Sequence, residues 1–341
     1  MRFLNNRSPR TVGIAAAVVT VLVWTAFIVI ARASAGRSLS PFDIGVCRIV
    51  GASLVLLPWG AWLVWRERKA AADARRSAGE GGGNSWLGLS PLSFKVTATV
   101  GAFGGLGYAA LTYTGFFYAP AAHASVLMPG SLPLWTALMA MLLLGDRITP
   151  ARAAGLALIV LGDVLVGGAS LLRAFDGGDV WKGDLLFMAA AFCWAIYSVL
   201  ARRHGLDAVK GTIAITVFAF VTYLPTYALL SALGWVHSRL GSAPWGEIVF
   251  QAMFQGLGSV VVSGIAFTQM IRYFGPIRTT MITALVPGLS ALGAVVFLGE
   301  PLSWNLWAGL ACVTAGILFG VQAVRSIAPE TIAKPLDSTK A

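Results

Sequence analysis

The chain has 341 residues, of which 57% are hydrophobic and only 11% charged, and it carries a formal net charge of +11. Soluble domains carry roughly 25% charged residues, so a mean hydropathy of +0.78 excludes a water-soluble globular fold and fits a chain whose solvent is lipid. The positive charge does not mark a nucleic-acid binder, because the basic residues lie in short loops between apolar runs rather than on one polar face.

A bilayer core of ~30 Å needs about 20 apolar residues in helix. Ten such runs follow in chain order, at 12–31, 44–65, 95–118, 121–144, 151–171, 183–201, 211–236, 247–271, 277–299 and 304–324. The first is too long for the apolar core of a signal peptide and lacks a cleavage site, so none is expected. It carries Trp24 in mid-span, and the second carries Arg48. Residues 66–94 turn from basic to glycine-rich and read as a flexible cytoplasmic loop. The third and fourth runs meet at a corner, Tyr118-Ala119-Pro120, and hold Tyr108, Tyr113, Phe116, His123 and Trp135. Asp163 sits in the fifth run, and Trp194 and Tyr197 in the sixth. In the eighth, Gln255, Ser259 and Ser263 form a polar stripe at i, i+4 and i+8, which should face protein or a cavity rather than lipid. A second corner is expected at Phe274-Gly275-Pro276, and residues 326–341 read as a disordered cytoplasmic tail. Cys47, Cys193 and Cys312 all fall in apolar runs, as small core residues rather than a disulfide or metal set.

Charge sets the orientation. With the N-terminus in the cytoplasm, nineteen Lys and Arg fall inside against five outside, with Arg48 left within a span. Both termini are therefore expected on the cytoplasmic face of the inner membrane.

The chain also repeats. Leu144-Gly145-Asp146 through Ala154-Gly155-Leu156-Ala157 returns as Leu298-Gly299-Glu300 through Ala308-Gly309-Leu310-Ala311. Pro133 then matches Pro287 and Gly162 matches Gly316 in the same register, while Trp24, Val29, Ala31 and Arg32 are echoed by Trp194, Val199, Ala201 and Arg202. Five spans per copy is odd, so the second copy enters from the opposite face. The expected architecture is all-α and integral to the membrane: ten transmembrane helices in two inverted five-helix repeats, 12–172 and 183–325.

These repeat ends, the paired Trp24 and Trp194, and Arg48 in the second span resemble the drug/metabolite transporter superfamily, EamA type, over about residues 12–325. The resemblance implies two five-helix units, with the fifth and tenth helices away from a central cavity, and export of amino acids, other metabolites or drugs. Asp146 departs from the glutamate commoner in the family, which Glu300 keeps, and the 66–94 loop is an insertion.

Ionisable groups inside a bilayer cost at least about 2.5–3.5 kcal/mol at a helix centre, so each requires a reason. Arg48 either anchors an anionic solute group, or snorkels outward or pairs with Asp43. His123, whose counterpart is Ile277, either touches solute and titrates or caps a corner carbonyl. Asp163, whose counterpart is Ile317, is either a protonatable coupling group or a buried neutral acid. The expected cavity set is Trp24, Arg48, Tyr113, His123, Trp135, Trp194, Tyr197, Gln255 and Ser259, with His123 and Asp163 as coupling candidates.

The function expected is secondary active transport of a small-molecule solute through the lipid bilayer by alternating access, with a proton as the candidate coupling ion. No cofactor, metal or catalytic residue is expected. A facilitative uniporter or importer is the alternative. A membrane-embedded enzyme fits poorly, since Asp163 has no mid-membrane acidic partner. Two repeats in one chain make a monomer sufficient for the site, although a dimer is compatible.

Overall fold

The computed structural model describes residues 9–75, 85–283 and 285–325, which are built from helices. Among them there is no strand, only an isolated bridge between Trp86 and Ser90. The first half contains α1 (Pro9–Ser34), α2 (Pro41–Arg75), α3 (Phe94–Gly101), α4 (Tyr108–Tyr118), α5 (Ala121–Ser125), α6 (Leu132–Leu144) and α7 (Pro150–Ala174). The second contains α8 (Val180–Arg203), α9 (Ala208–Ala232), α10 (Trp245–Gln251), α11 (Ser263–Thr283), α12 (Leu285–Leu298) and α13 (Trp304–Arg325). Three π-helical stretches, Ala102–Gly107, Val126–Gly130 and Ala252–Val262, join α3 to α4, α5 to α6 and α10 to α11.

Among the described residues, seven helices are long and apolar enough to cross a membrane: Thr11–Ser34, Pro41–Ala72, Ala121–Leu144, Pro150–Arg173, Val180–Arg203, Val209–Ala232 and Trp245–Phe267. Leu285–Leu298 and Trp304–Phe319 are apolar but shorter. Residues 66–75, expected within a flexible loop, continue α2 as helix, and residues 85–93 form a turn closed by the Trp86–Ser90 bridge. The tail at 326–341 and the glycine-rich segment 79–84 lie outside the described residues.

The two expected proline corners differ. At the first, Ala119 is extended (φ −126, ψ 152) and α5 begins after Pro120. At the second, α11 runs on as helix through Gly275 and Pro276. The proline ring clashes with the backbone N–H and Cβ of the residue before it and pushes that residue out of the helical region. Ala119 carries a Cβ, whereas Gly275 carries none, so the helix tolerates the second proline.

The Leu-Gly-acid repeat is a helix terminator. Gly145 and Gly299 take left-handed φ values of 72 and 67. Gly145 N–H donates to Met141 O and Gly299 N–H to Val295 O, both at 3.1 Å. The next residue's N–H then reaches back to Ala140 O (3.3 Å) or Ala294 O (3.2 Å). Glycine adopts this αL cap without a Cβ penalty, and the turn aims the following acid back beside the helix bundle.

α1 packs on α11 and α12, while α8 packs on α4 and α6. α2 lies against the 252–262 stretch and α9, and α7 crosses α13 in a long contact. That crossing is antiparallel. A Cβ on Gly162 would sit 2.6 Å from Gly309 O, and one on Gly316 would sit 2.5 Å from Gly155 O. Small residues here let the two backbones touch, the usual device for helix association in lipid.

The apolar core gathers at one end of the bundle. Phe116, Ala119, Ala121, Ala122, Ala124, Phe187 and Leu39 are each at most 1% exposed. Phe116 stands between Phe187 (centroids 4.9 Å apart) and Phe27 (6.5 Å), both edge-on.

Candidate functional site

A cavity of about 980 Å³ runs through the bundle, within the ~300–1,000 Å³ range of small-molecule sites. All three π-helical stretches contribute to its wall, through Gly104 and Gly105, Met128 and Pro129, and Ser259 and Val260. A π turn widens the helix and re-aims side chains, which is why such turns recur at functional sites. At one end the lining reaches Arg152, Arg202 and the 205–207 loop. Towards the other end the lining reaches Pro41 and Phe42 at the start of α2.

Arg48 is the charged group of the cavity's middle. Its Nη1 donates to Ser259 Oγ (3.1 Å), Tyr113 OH (3.3 Å) and Gln255 O (3.5 Å). The guanidinium also lies 5.8 Å from the Phe27 ring centroid. Tyr113 OH is itself fixed by donation to Gln255 Oε1 at 3.0 Å. Every acceptor is neutral. Among the described residues, ion pairs join Arg32 to Glu300, Lys182 to Asp179, Arg202 to Asp146 and Lys210 to Glu67, His123 lies 2.8 Å from Asp184, and none of these contacts includes Arg48. Asp43, the partner considered from sequence, is engaged elsewhere. It accepts from Ser40 N–H (2.9 Å), Arg239 N–H (3.2 Å) and Tyr227 OH. A desolvated charge normally finds an opposite charge, so Arg48 holds a positive potential open towards the cavity.

Aromatic rings complete the wall. Trp194 lies between Tyr108 (4.8 Å) and Tyr197 (5.1 Å), and Trp24 stacks on Phe267 at 5.0 Å. All five rings line the cavity. Ser259 and Ser263 line it as well, and Gln255 lies directly behind, fully buried. The polar stripe of the eighth run thus faces inward. Ile159 and Leu156 of α7 and Gly316 and Ile317 of α13 also contribute, so these helices are not remote from the cavity as the family resemblance implied.

Like Gln255, three further sequence candidates lie outside the cavity lining. His123 turns away because Asp184 draws its ring, with Nδ1 2.8 Å from Asp184 Oδ1. Ser170 Oγ donates to the other carboxylate oxygen, so the cluster ties α5, α7 and α8 together. Trp135 packs edge-on against Phe192 (5.3 Å), and its indole N–H has no partner among the described residues. Asp163 is 7% exposed beside Gly162, and neither carboxylate oxygen finds a hydrogen bond among the described residues. Sequence reasoning passed over Asp184, although a carboxylate at the second position of an apolar run was a visible signal. It also read Arg32 and Arg202 as repeat markers, without their pairing to Glu300 and Asp146.

Comparison with known proteins places this chain in a family. The model of the EamA-like transporter family matches residues 11–168 and 181–321. The chain is 26% identical over 247 residues to an uncharacterized transporter, YyaM, of Bacillus subtilis, covering 72% of this chain and 78% of that one. It is 27% identical over 219 residues to the aromatic amino acid exporter YddG of Ancylobacter novellus, covering 61% and 74%. A solved crystal structure superposes with a TM-score of 0.56 at 22% identity, over 93% of this chain and 98% of the other, a likeness of fold alone. The relatives are transporters and not enzymes. With these matches and its apolar helices, the chain is a multi-pass membrane protein that belongs to the EamA-like transporter family.

Proposed function

We propose that this protein is a secondary transporter that exports a small carboxylate-bearing amphipathic solute across the cytoplasmic membrane. Amino acids and related metabolites or drugs with an aromatic or apolar body are the solute class. The observation that carries this reading is the guanidinium of Arg48, in no ion pair among the described residues and held by neutral acceptors on the wall of an aromatic-lined cavity. A carboxylate fits its planar fork in bidentate fashion, and an aromatic or aliphatic body fits the Tyr108–Trp194–Tyr197 wall. The description of the Ancylobacter relative as an aromatic amino acid exporter agrees with that chemistry.

The architecture we propose is ten spans in two inverted repeats, with both termini in the cytoplasm. Exchanged contacts support it. The sequence repeat sends Arg32 to Arg202 and Asp146 to Glu300, so the pair Arg32–Glu300 becomes Arg202–Asp146. It likewise turns the approach of Gly155 and Gly316 into that of Gly309 and Gly162. A two-fold relation between the halves produces such exchange. In this orientation Arg152, Arg202 and the 205–207 loop stand at the cytoplasmic mouth, and we place the constriction at the outer side, beside the Phe116–Phe187 core. The described conformation is then inward-facing. Solute shifts its population towards an outward-facing partner state. A proton gradient is the proposed driving force, with His123 and Asp163 as the groups to test, and a monomer contains the whole site.

Counterflow tests the reading. Proteoliposomes loaded with a mixture of amino acids and aromatic carboxylates are diluted into labelled solutes, and exchange is read by mass spectrometry. Saturable exchange of carboxylate-bearing solutes is expected. No exchange by folded protein overturns the proposal. Rates that stay flat when the proton gradient is collapsed remove the proton and favour a facilitative uniporter.

A further inference from the structure

The two acid–arginine pairs sit at opposite ends of the molecule and differ in what else they hold. Arg32 Nε donates to Glu300 Oε1 at 2.9 Å, which joins α1 to the end of α12, two helices already packed together. The pair then reaches across the bundle. Arg32 Nη1 donates to Phe116 O at 2.7 Å, and Glu300 Oε2 accepts from Ala122 N–H at 3.4 Å. Those two backbone groups belong to α4, which packs mainly on α8, and to α5, which meets α12 at this end. Arg202 and Asp146 form the counterpart pair at 2.8 Å, joining α8 to the end of α6, again two helices already packed together. Among the described residues this second pair bonds to nothing beyond itself. Its side chains are 65% and 30% exposed, against 32% and 14% for the first.

We infer that each pair is a clasp on one mouth of the cavity, closed in one transport state and open in the other. Closed, the arginine's fork holds its own acid with one nitrogen and a carbonyl of the opposite helix group with another. Open, only the acid–arginine pair survives, as at Arg202–Asp146. The pair inside each helix group is permanent and keeps the fork aimed, so the bond that forms and breaks during transport is the one to the opposite group. Arginine is required because a single lysine ammonium is a compact point charge without a rigid fork to span two acceptors. The four residues are positioning groups for the conformational step and need not touch solute.

This inference rests on the alternating-access reading, and its test separates the two. Ala109, on the cavity wall, is changed to cysteine in the full-length chain, with the parent protein as background for the native thiols. A membrane-impermeant maleimide is added to right-side-out or inside-out vesicles, and the ratio of outside to inside labelling rates is measured. Glu300→Gln is expected to raise that ratio about tenfold. Arg32→Lys, which keeps the pair and loses the fork, is expected to raise it too while melting at the parent temperature. Asp146→Asn is expected to lower it. A merely structural role would not move the two ends in opposite directions. Labelling from both faces with an unmoved ratio, or with all variants shifted the same way, overturns the clasp alone. Labelling from one face only in every protein, with or without solute, overturns alternating access and the clasp with it.

Discussion

At one end of the molecule Glu300 meets Arg32 and, with it, the backbone of Phe116 and Ala122; at the other, Asp146 meets Arg202 and, among the described residues, no further hydrogen-bond partner. Both acids follow a left-handed glycine at a helix end, in turns whose backbone hydrogen bonds match to about a tenth of an ångström. Identical local chemistry has therefore been given different tertiary work. The difference lies in desolvation. The first pair sits beside the Phe116–Phe187 core, where charge-assisted bonds keep their strength. The second lies at an exposed mouth, where water competes and an ion pair contributes little.

The largest effect expected comes from His123→Ala, which leaves Asp184 buried with its histidine partner removed. Breaking a buried pair in this way costs about 3–5 kcal/mol, read as a large drop in melting temperature in detergent. Next is the crossing shared by both ends. Gly162→Val and its repeat counterpart Gly316→Val each force a side chain into the facing helix and should each destabilise by about 1–3 kcal/mol. The two-fold relation requires similar losses, and a large loss at one glycine with none at the other would break the equivalence of the halves. A sharper contrast follows from truncating the acids. Glu300→Ala should cost about 1.5 kcal/mol, the scale of hydrogen bonds to a charged group. Asp146→Ala should cost less than about 0.5 kcal/mol, as exposed pairs do. Equal costs by calorimetry would mean that the two ends are not in different states. An effect on transport rather than on stability is expected at the wall between them. Trp194→Leu removes ring contacts with Tyr108 and Tyr197 and with an aromatic solute, and should raise KM by roughly 2- to 10-fold, since such contacts contribute about 0.5–1.5 kcal/mol.

Much of this was legible in the chain because the signals are local. Apolar runs give helices in lipid whatever their neighbours, and the Gln255–Ser259–Ser263 stripe could face only inward. Trp24, Arg48, Trp194 and Tyr197 meet at one cavity because hydrophilic or amphipathic side chains in apolar runs have few other places to go. What escaped the sequence depends on distance along the chain. Nothing near His123 says that Asp184 will draw its ring out of the cavity, and nothing near Trp135 names Phe192. The continuation of α11 through Pro276 turns on one missing Cβ at Gly275, a detail that a proline signal alone overrides. The Leu-Gly-acid motif was readable as a repeat mark, whereas its use as a ready-made arm for Arg32 or Arg202 needed the fold.

The most direct test of the central claim compares two solutes that differ in one group. Purified protein in proteoliposomes is offered an aromatic amino acid and the corresponding amine lacking the carboxylate, with Arg48 intact or changed by Arg48→Gln. The account predicts saturable uptake of the amino acid, with KM for it raised roughly 10- to 100-fold by the substitution, the loss of about 1.5–3 kcal/mol of charged hydrogen bonding. The amine should be a poor substrate of both proteins. Equal transport of the two solutes, or an Arg48→Gln protein that handles the amino acid as well as the parent, would contradict it.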